Sequence, residues 1–287
     1  MMGPGTMLQR ALGLAAALGF LAAAPVLAAT TAKEPKDVHW SFEGPFGKFD
    51  PEQLQRGYKV YHDVCSACHS MNLVHYYDLG RIYGPFYSAK YKNQNDNPYV
   101  KAIAKDVQIP DIDPDTGDRI TRPGTSADHF KAPFANDVAA KASNGGAIPP
   151  DLSMITRARE GGPRYIYSIL RGYEAPPPGL DVPAGKSYNA YMPGDLTGFW
   201  KGAKDKVPTG GFIAMPLQLT DDRVTYDDGV KATADQEAKD VTAFLEWAGD
   251  IHQTERKRMG FSVLIYLLLL AGAVYGSYRA IWRGVKH

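Results

Sequence analysis

The chain has two cysteines, and both fall within Cys65-Ser66-Ala67-Cys68-His69. C-x-x-C-H spacing is the signature of covalent c-type haem attachment. Two thiols three positions apart can each bond one vinyl group of a porphyrin, and the adjacent imidazole then reaches the iron from one face. With both thiols so used, no disulfide remains to hold the fold. Other uses of the pair fit less well. A four-cysteine zinc site needs thiols the chain lacks, and no H-x-x-x-H pair follows at finger spacing. A thioredoxin-type dithiol opens a helix after a strand, whereas this motif closes a helical pattern.

Both ends of the chain carry apolar runs. Arg10, the stretch from Ala11 to Ala24 and the small-residue site Val26-Leu27-Ala28 together read as a secretory signal over residues 1–28. Near the other end, the 19 residues from Gly260 to Tyr278 hold no charge. As a helix they reach roughly 28 Å, enough for a bilayer core. Arg256, Lys257 and Arg258 precede this run; Arg279, Arg283 and Lys286 follow it, so flanking charge gives no orientation. The signal does: residues 29–255 are expected to be exported, with 256–287 forming a single-pass anchor and a short cytoplasmic tail.

The formal charge of +1 conceals an acidic middle. Residues 29–255 hold 25 basic and 31 acidic side chains, a net of −6, and residues 221–250 alone hold nine acids against three bases. Such a surface points to a basic protein partner and not to nucleic acid. Asp50, Pro51 and Gln53 read as the start of a helix with a capping box, with Phe49 and Leu54 as its staple. Leu54, Tyr58, Tyr61 and Cys65 then recur at helical spacing. Residues 83–150 are rich in loop-formers, with short helices expected over 99–106 and 135–143. Further helices are predicted over 151–159, 165–171 and from Thr233, where Val241, Phe244, Leu245, Ala248 and Ile251 share a face. No strand pattern persists. The fold class expected is mostly α: a c-type cytochrome domain with long loops around one haem, plus one C-terminal transmembrane helix.

A second axial ligand to iron would be a Met or a His. Met71 is too near His69 to reach the opposite face, and Met154 sits at core spacing. Met192 and Met215 remain, each followed by proline, and spacing alone does not separate them.

Several segments, in order, give the chain a family likeness. They are Cys65-Ser66-Ala67-Cys68-His69-Ser70-Met71, Ala147-Ile148-Pro149-Pro150-Asp151-Leu152-Ser153, Arg157-Ala158-Arg159-Glu160-Gly161-Gly162, Tyr165 to Leu170, Ile213-Ala214-Met215-Pro216, Asp240 to Ala248 and the C-terminal anchor. With them the chain resembles the cytochrome c1 family, the haem subunit of the cytochrome bc1 complex. The resemblance implies one covalently bound haem c on Cys65 and Cys68, with His69 and Met215 as axial ligands. It also implies Arg159 and Tyr165 near the haem propionates, and Pro149-Pro150 packed beside the haem. The implied partners are cytochrome b, the Rieske iron–sulfur subunit and a soluble c-type cytochrome. The implied place is a bacterial inner membrane with the haem domain on the periplasmic side; a stand-alone membrane-anchored shuttle is the alternative. One departure is visible. Some bacterial members tie down the loop before the axial Met with an extra cysteine pair, which this chain lacks. The loop from Gly172 to Gly211 is expected to rely on packing by Tyr188, Tyr191, Phe199, Trp200 and Phe212.

Overall fold

The computed structural model describes residues 32–284, so the expected signal segment and the last three residues lie outside the described residues. Asp50 caps the first helix, α1 (Pro51–Asp63), its carboxylate accepting from the Glu52 N–H at 3.1 Å, with Pro51 at the first helical position. This is the start read from the sequence, without the capping box. The Gln53 amide instead donates to Asp240 at 3.2 Å. The helix continues into a 3₁₀ turn, Cys65–Ala67.

Four more helices belong to the same domain: α2 (Pro98–Lys105), α3 (Asp137–Ser143), α4 (Gly162–Leu170) and α5 (Ala234–Gly249). Two short antiparallel ladders accompany them. One joins β1 (Gln108–Ile112) to β2 (Arg119–Pro123); the other joins β3 (Ser187–Asn189) to β4 (Gly211–Ile213), with Tyr188 opposite Phe212. The architecture is mostly α with long loops, as expected.

The core lies where α1 crosses α5. Thr233 caps α5, its hydroxyl accepting from the Gln236 N–H at 3.1 Å. Val241, Phe244, Leu245 and Ala248 are buried as the periodicity predicts, and Ile251 is half-buried. The Phe244 ring meets Tyr58 at 5.7 Å and Tyr61 at 5.8 Å between centroids, and Trp247 stacks on it at 5.5 Å. Rings at these spacings add about 1 kcal/mol per pair beyond the area they bury. The two helices approach closely because position 57 has no side chain: a Cβ there would collide with the Asp240 carbonyl and meet Phe244 Cβ at 2.7 Å. Beside this crossing the buried Asp240 carboxylate is held by Arg56 Nε at 2.9 Å and the Gln236 amide at 2.8 Å.

The last helix, α6 (Gln253–Trp282), is 30 residues long, or about 45 Å. It is long and apolar enough to cross a membrane, and its apolar stretch is exposed throughout, unlike a buried core helix. Its first turns grip the domain: Lys257 Nζ donates to the Phe42 carbonyl at 2.6 Å, and the Phe46 and Phe261 rings meet edge-on at 5.6 Å.

Three expectations need correction. Residues 151–160 form successive turns, not a helix, because the Asp151 carboxylate is bonded back to the segment that follows the cysteines. Met154 is consequently 43% exposed and not a core residue. The acidic stretch is also less of a surface than its composition indicated. Glu237, Asp240 and Glu246 are buried, and Asp235 and Asp250 are half-buried, leaving Asp221, Asp222, Asp227 and Asp228 exposed.

Gly57→Ala is expected to destabilise the domain by about 2–3 kcal/mol through overpacking of the α1–α5 crossing. Gly198→Ala, where an added Cβ meets nothing within 4 Å, is expected to be near neutral. Urea unfolding of the two variants checks the contrast.

Candidate functional site

The turn after α1 sets the two thiols and the imidazole on one short stretch of backbone. The Cys68 and His69 N–H groups both donate to the Cys65 carbonyl, at 3.1 and 2.9 Å. Both cysteines are unpaired thiols. Burial, and secondarily Cys68, pushes the Cys65 thiol up to about 12. A disulfide-exchange cysteine needs the opposite shift, toward thiolate at neutral pH.

His69 Nδ1 lies 2.8 Å from the Pro150 carbonyl oxygen. A carbonyl only accepts, so Nδ1 carries the proton and Nε2 keeps its lone pair. Burial holds the imidazole below its ordinary value, with the Pro150 carbonyl and Asp151 pulling the other way. The ring is thus neutral at physiological pH, oriented, and bare at the nitrogen a metal would take. A backbone carbonyl on the far nitrogen is the usual support of a ligating histidine.

Pro150 is held in place by a clamp that the sequence did not reveal. Asp151 accepts from the Ser70 hydroxyl at 2.8 Å, the Asn72 N–H at 2.9 Å and the Ser153 N–H at 2.8 Å. Leu152 N–H donates to the Ser70 carbonyl at 2.8 Å, and Leu73 N–H to the Ser153 hydroxyl at 3.0 Å. Burial alone would raise the Asp151 carboxyl, but the bonds from Ser153, Asn72 and Ser70 outweigh it and leave it below its ordinary value. The only sequence signal for this clamp was Asp151 itself, which also reads as a helix cap.

The second half of the site sits on the loop from Gly172 to Gly211. Leu180, Tyr188, Ala190 and Leu196 form a small core of their own, with Tyr191, Trp200 and Phe212 packed against it. Phe199 meets Phe212 edge-on at 5.1 Å. The packing expected in place of a disulfide is present. β4 runs against the turn at Met192 so closely that a Cβ at position 211 would lie 2.8 Å from the Met192 carbonyl oxygen. Two residues beyond β4 comes Met215, half-buried, with its carbonyl accepting from the Tyr173 hydroxyl at 2.9 Å. Tyr173 pairs across a bridge with Asn189 of β3, so the Met215 backbone is tied to the loop core.

Arg159 is exposed and Tyr165 half-buried at the start of α4. They are close enough to interact: burial raises the Tyr165 hydroxyl, and the Arg159 guanidinium opposes it. The Tyr165 hydroxyl also lies 3.9 Å from Met192 Sδ. Met192 is thus half-buried beside Tyr165, whereas its context, Tyr191-Met192-Pro193-Gly194-Asp195, reads locally as an exposed turn. No hydrogen bond joins the His69 half to the Met215 half among the described residues.

This donor set fits a c-type haem. Two thiols stand three positions apart, one imidazole nitrogen is bare, a thioether is carried just beyond a separate packed loop, and a cationic–phenolic pair suits carboxylates. A cleft of about 310 Å³ also opens beside the turn, lined by Tyr61, His62, Ser66, Ala67 and Phe130. Neither cysteine nor His69 lines that cleft, so it lies beside this donor set.

Comparison with known proteins places the set in a family. The model of the cytochrome C1 family matches residues 40–285, which takes in every residue above. The chain belongs to the cytochrome c1 family. It is 42% identical over 264 residues to cytochrome c1 of Rhodospirillum rubrum, covering 86% of this chain and 87% of that one. It is 40% identical over 283 residues to the mitochondrial heme protein cytochrome c1 1 of Arabidopsis thaliana, covering 96% and 83%. It is 41% identical over 268 residues to cytochrome b/c1 of Bradyrhizobium diazoefficiens, covering 87% of this chain but only 36% of that longer protein. Family membership and the apolar α6 together fit a membrane-anchored cytochrome c1.

The folded-state value of Asp151 lies below that of the unfolded chain, so the stability it contributes is complete above the ordinary carboxylate value and lost as pH falls through the lowered one. Asp151→Asn is expected to cost about 2 kcal/mol at pH 7, since the bonds lose their charge assistance. The difference from the parent is expected to shrink as pH falls below the ordinary carboxylate range. Urea unfolding followed from neutral to acid pH measures it.

Proposed function

We propose that this chain is the electron-carrying subunit of a ubiquinol–cytochrome c oxidoreductase. It takes one electron from a Rieske iron–sulfur protein and passes it to a soluble c-type cytochrome, beside a cytochrome b subunit. The observation that carries this reading is that the family match runs through both halves of the site and on into the anchor. A haem bound here supplies a one-electron couple; no substrate bond is made or broken at it.

The chain's own residues have simple tasks. Cys65 and Cys68 would hold a haem covalently, and His69 would offer Nε2 from a ring locked by Pro150. Met215, whose backbone is held by Tyr173, would offer its thioether to the same iron. With both ligands held, the group would supply its one-electron couple with little reorganisation and without binding oxygen. Arg159 and Tyr165 would receive its carboxylates by charge-assisted bonds. The loop core around Tyr188 and Leu196 takes over the work that a disulfide does in some bacterial relatives.

The secretory signal and α6 support an inner-membrane protein whose haem domain faces the periplasm and whose C-terminus is cytoplasmic. Purification of the full chain in mild detergent, followed by a reduced-minus-oxidised spectrum, tests the assembly: b-type and c-type haem bands are expected together. A chain that comes alone with one c-type haem is a stand-alone shuttle instead.

Met215→Leu is expected to abolish the thioether-to-iron absorption band and to lower the potential by on the order of 0.2 V, a fraction of the roughly 0.8 V range that axial ligands span. Met192→Leu is expected to keep the band. Loss of the band in Met192→Leu alone would reverse the assignment.

The exposed carboxylates Asp221, Asp222 and Asp227 are expected to steer a basic acceptor. Its rate of reduction should fall roughly ten-fold between low and high salt. A flat stopped-flow salt dependence would remove steering from the mechanism.

A further inference from the structure

His75 and His129 lie outside the site described above and face each other across a short antiparallel bridge. The Tyr76 N–H donates to the Asp128 carbonyl at 3.0 Å, and the Phe130 N–H to the Val74 carbonyl at 2.9 Å. Those bonds flank the two histidines, which therefore form a non-hydrogen-bonded pair. In that register the Cα atoms come closest and both side chains leave on one face. The imidazole centroids are 3.7 Å apart with planes 35° from parallel, and the Tyr77 ring stacks on His75 at 4.8 Å. His129 is exposed and His75 half-buried, so the pair opens to water.

Stacking of the two imidazoles accounts for the ring contact. It does not account for what stands behind them. His75 Nδ1 lies 3.6 Å from Asp78 Oδ2. Asp78 is only 3% exposed and is fixed by the His75 N–H at 2.9 Å and by Arg81 Nη1 at 3.4 Å. That separation is too long for a hydrogen bond, so Asp78 acts on the ring as a fixed negative charge, which favours a bound cation. The His129 ring makes no hydrogen bond among the described residues, so its nitrogens are open to a ligand.

We propose that His75 and His129 form a two-histidine surface site for a borderline divalent transition-metal ion, Zn²⁺, Cu²⁺ or Ni²⁺, with water completing the coordination. Imidazole nitrogen suits these ions, whereas Mg²⁺ and Ca²⁺ take oxygen ligands. A metal–nitrogen bond of roughly 2.0–2.1 Å to each ring is reached by rotating the exposed His129 ring against a His75 held by Asp78. The ladder presents the second imidazole as an intramolecular ligand, at an effective concentration of millimolar or more. The site also has a structural consequence. The ladder joins the segment leaving the cysteine turn to the one carrying Phe130, whose ring packs on Tyr61 at 5.8 Å and Tyr76 at 4.8 Å. A bound ion therefore pins together two segments that flank the turn bearing Cys65 and Cys68.

The test is titration of the detergent-solubilised full chain at about pH 7.5, since protons compete with metal for imidazole. Zn²⁺ alone is followed by calorimetry and Cu²⁺ alone by electron paramagnetic resonance. One site per chain is expected, with Cu²⁺ bound more tightly than Zn²⁺ and its spectrum split by two nitrogens. His75→Ala and His129→Ala are each expected to weaken it at least ten-fold by removing the chelate, and the double variant to abolish it, because each single variant keeps one imidazole. The haem absorbance of all three variants, unchanged, shows that the fold is intact. Titrations that match the parent in either single variant would overturn the proposal. So would loss of the site in His62→Ala or His252→Ala instead.

Discussion

The hydrogen bond from the His69 ring to the Pro150 carbonyl governs the geometry of the candidate site. It fixes one proton on Nδ1, and so it fixes which nitrogen is left bare and in which direction the ring faces. It is also a contact between segments 81 residues apart, so it exists only if the chain between them returns accurately. The bonds from Asp151 and Ser153 to the stretch Ser70–Leu73 enforce that return. From Asp151 the chain passes through turns into α4 and on to the loop core. There the β3–β4 ladder and the Tyr173 hydroxyl set Met215. The two proposed axial ligands are thus positioned by one continuous frame, although no hydrogen bond joins them directly.

That frame rests on the α1–α5 crossing. Gly57 lets the helices approach, Phe244 fills the space among Tyr58, Tyr61 and Trp247, and Asp240 ties α5 back to Arg56 and Gln53. Cys65 follows directly on α1, so a shift at the crossing is carried to the thiols within one turn. α6 begins almost where α5 ends and grips the domain through Lys257 and Phe261. The position of the cysteine turn relative to the anchor is therefore set by packing and not by a flexible linker.

Features governed by local rules were readable from the sequence. The cap at Asp50, the proline after it, the Thr233 cap and the apolar face of α5 all appear where periodicity and capping chemistry place them. The C-x-x-C-H motif supplied three of the proposed haem-binding residues at once. Features that depend on contacts between distant segments were not readable. Asp151 carries the same local signal whether it caps a helix or clamps Ser70 and Asn72, and the structure uses the second. The three-residue strands β3 and β4 are too short for alternation to show. Counting acids in 221–250 could not reveal that Glu237, Asp240 and Glu246 face inward. Met192 read as a turn residue because nothing local announced that β4 and Tyr165 would close over it. The choice of Met215 as ligand rests on family resemblance, and the structure adds only the support that Tyr173 gives its backbone.

The proposed attachment of one haem through Cys65 and Cys68 underlies every functional role assigned to these residues. Intact-mass spectrometry of the detergent-solubilised chain after acid–acetone extraction addresses it most directly. A mass equal to the mature polypeptide plus one haem is the expected result. A mass equal to the polypeptide alone, with the haem recovered in the extract, would contradict it.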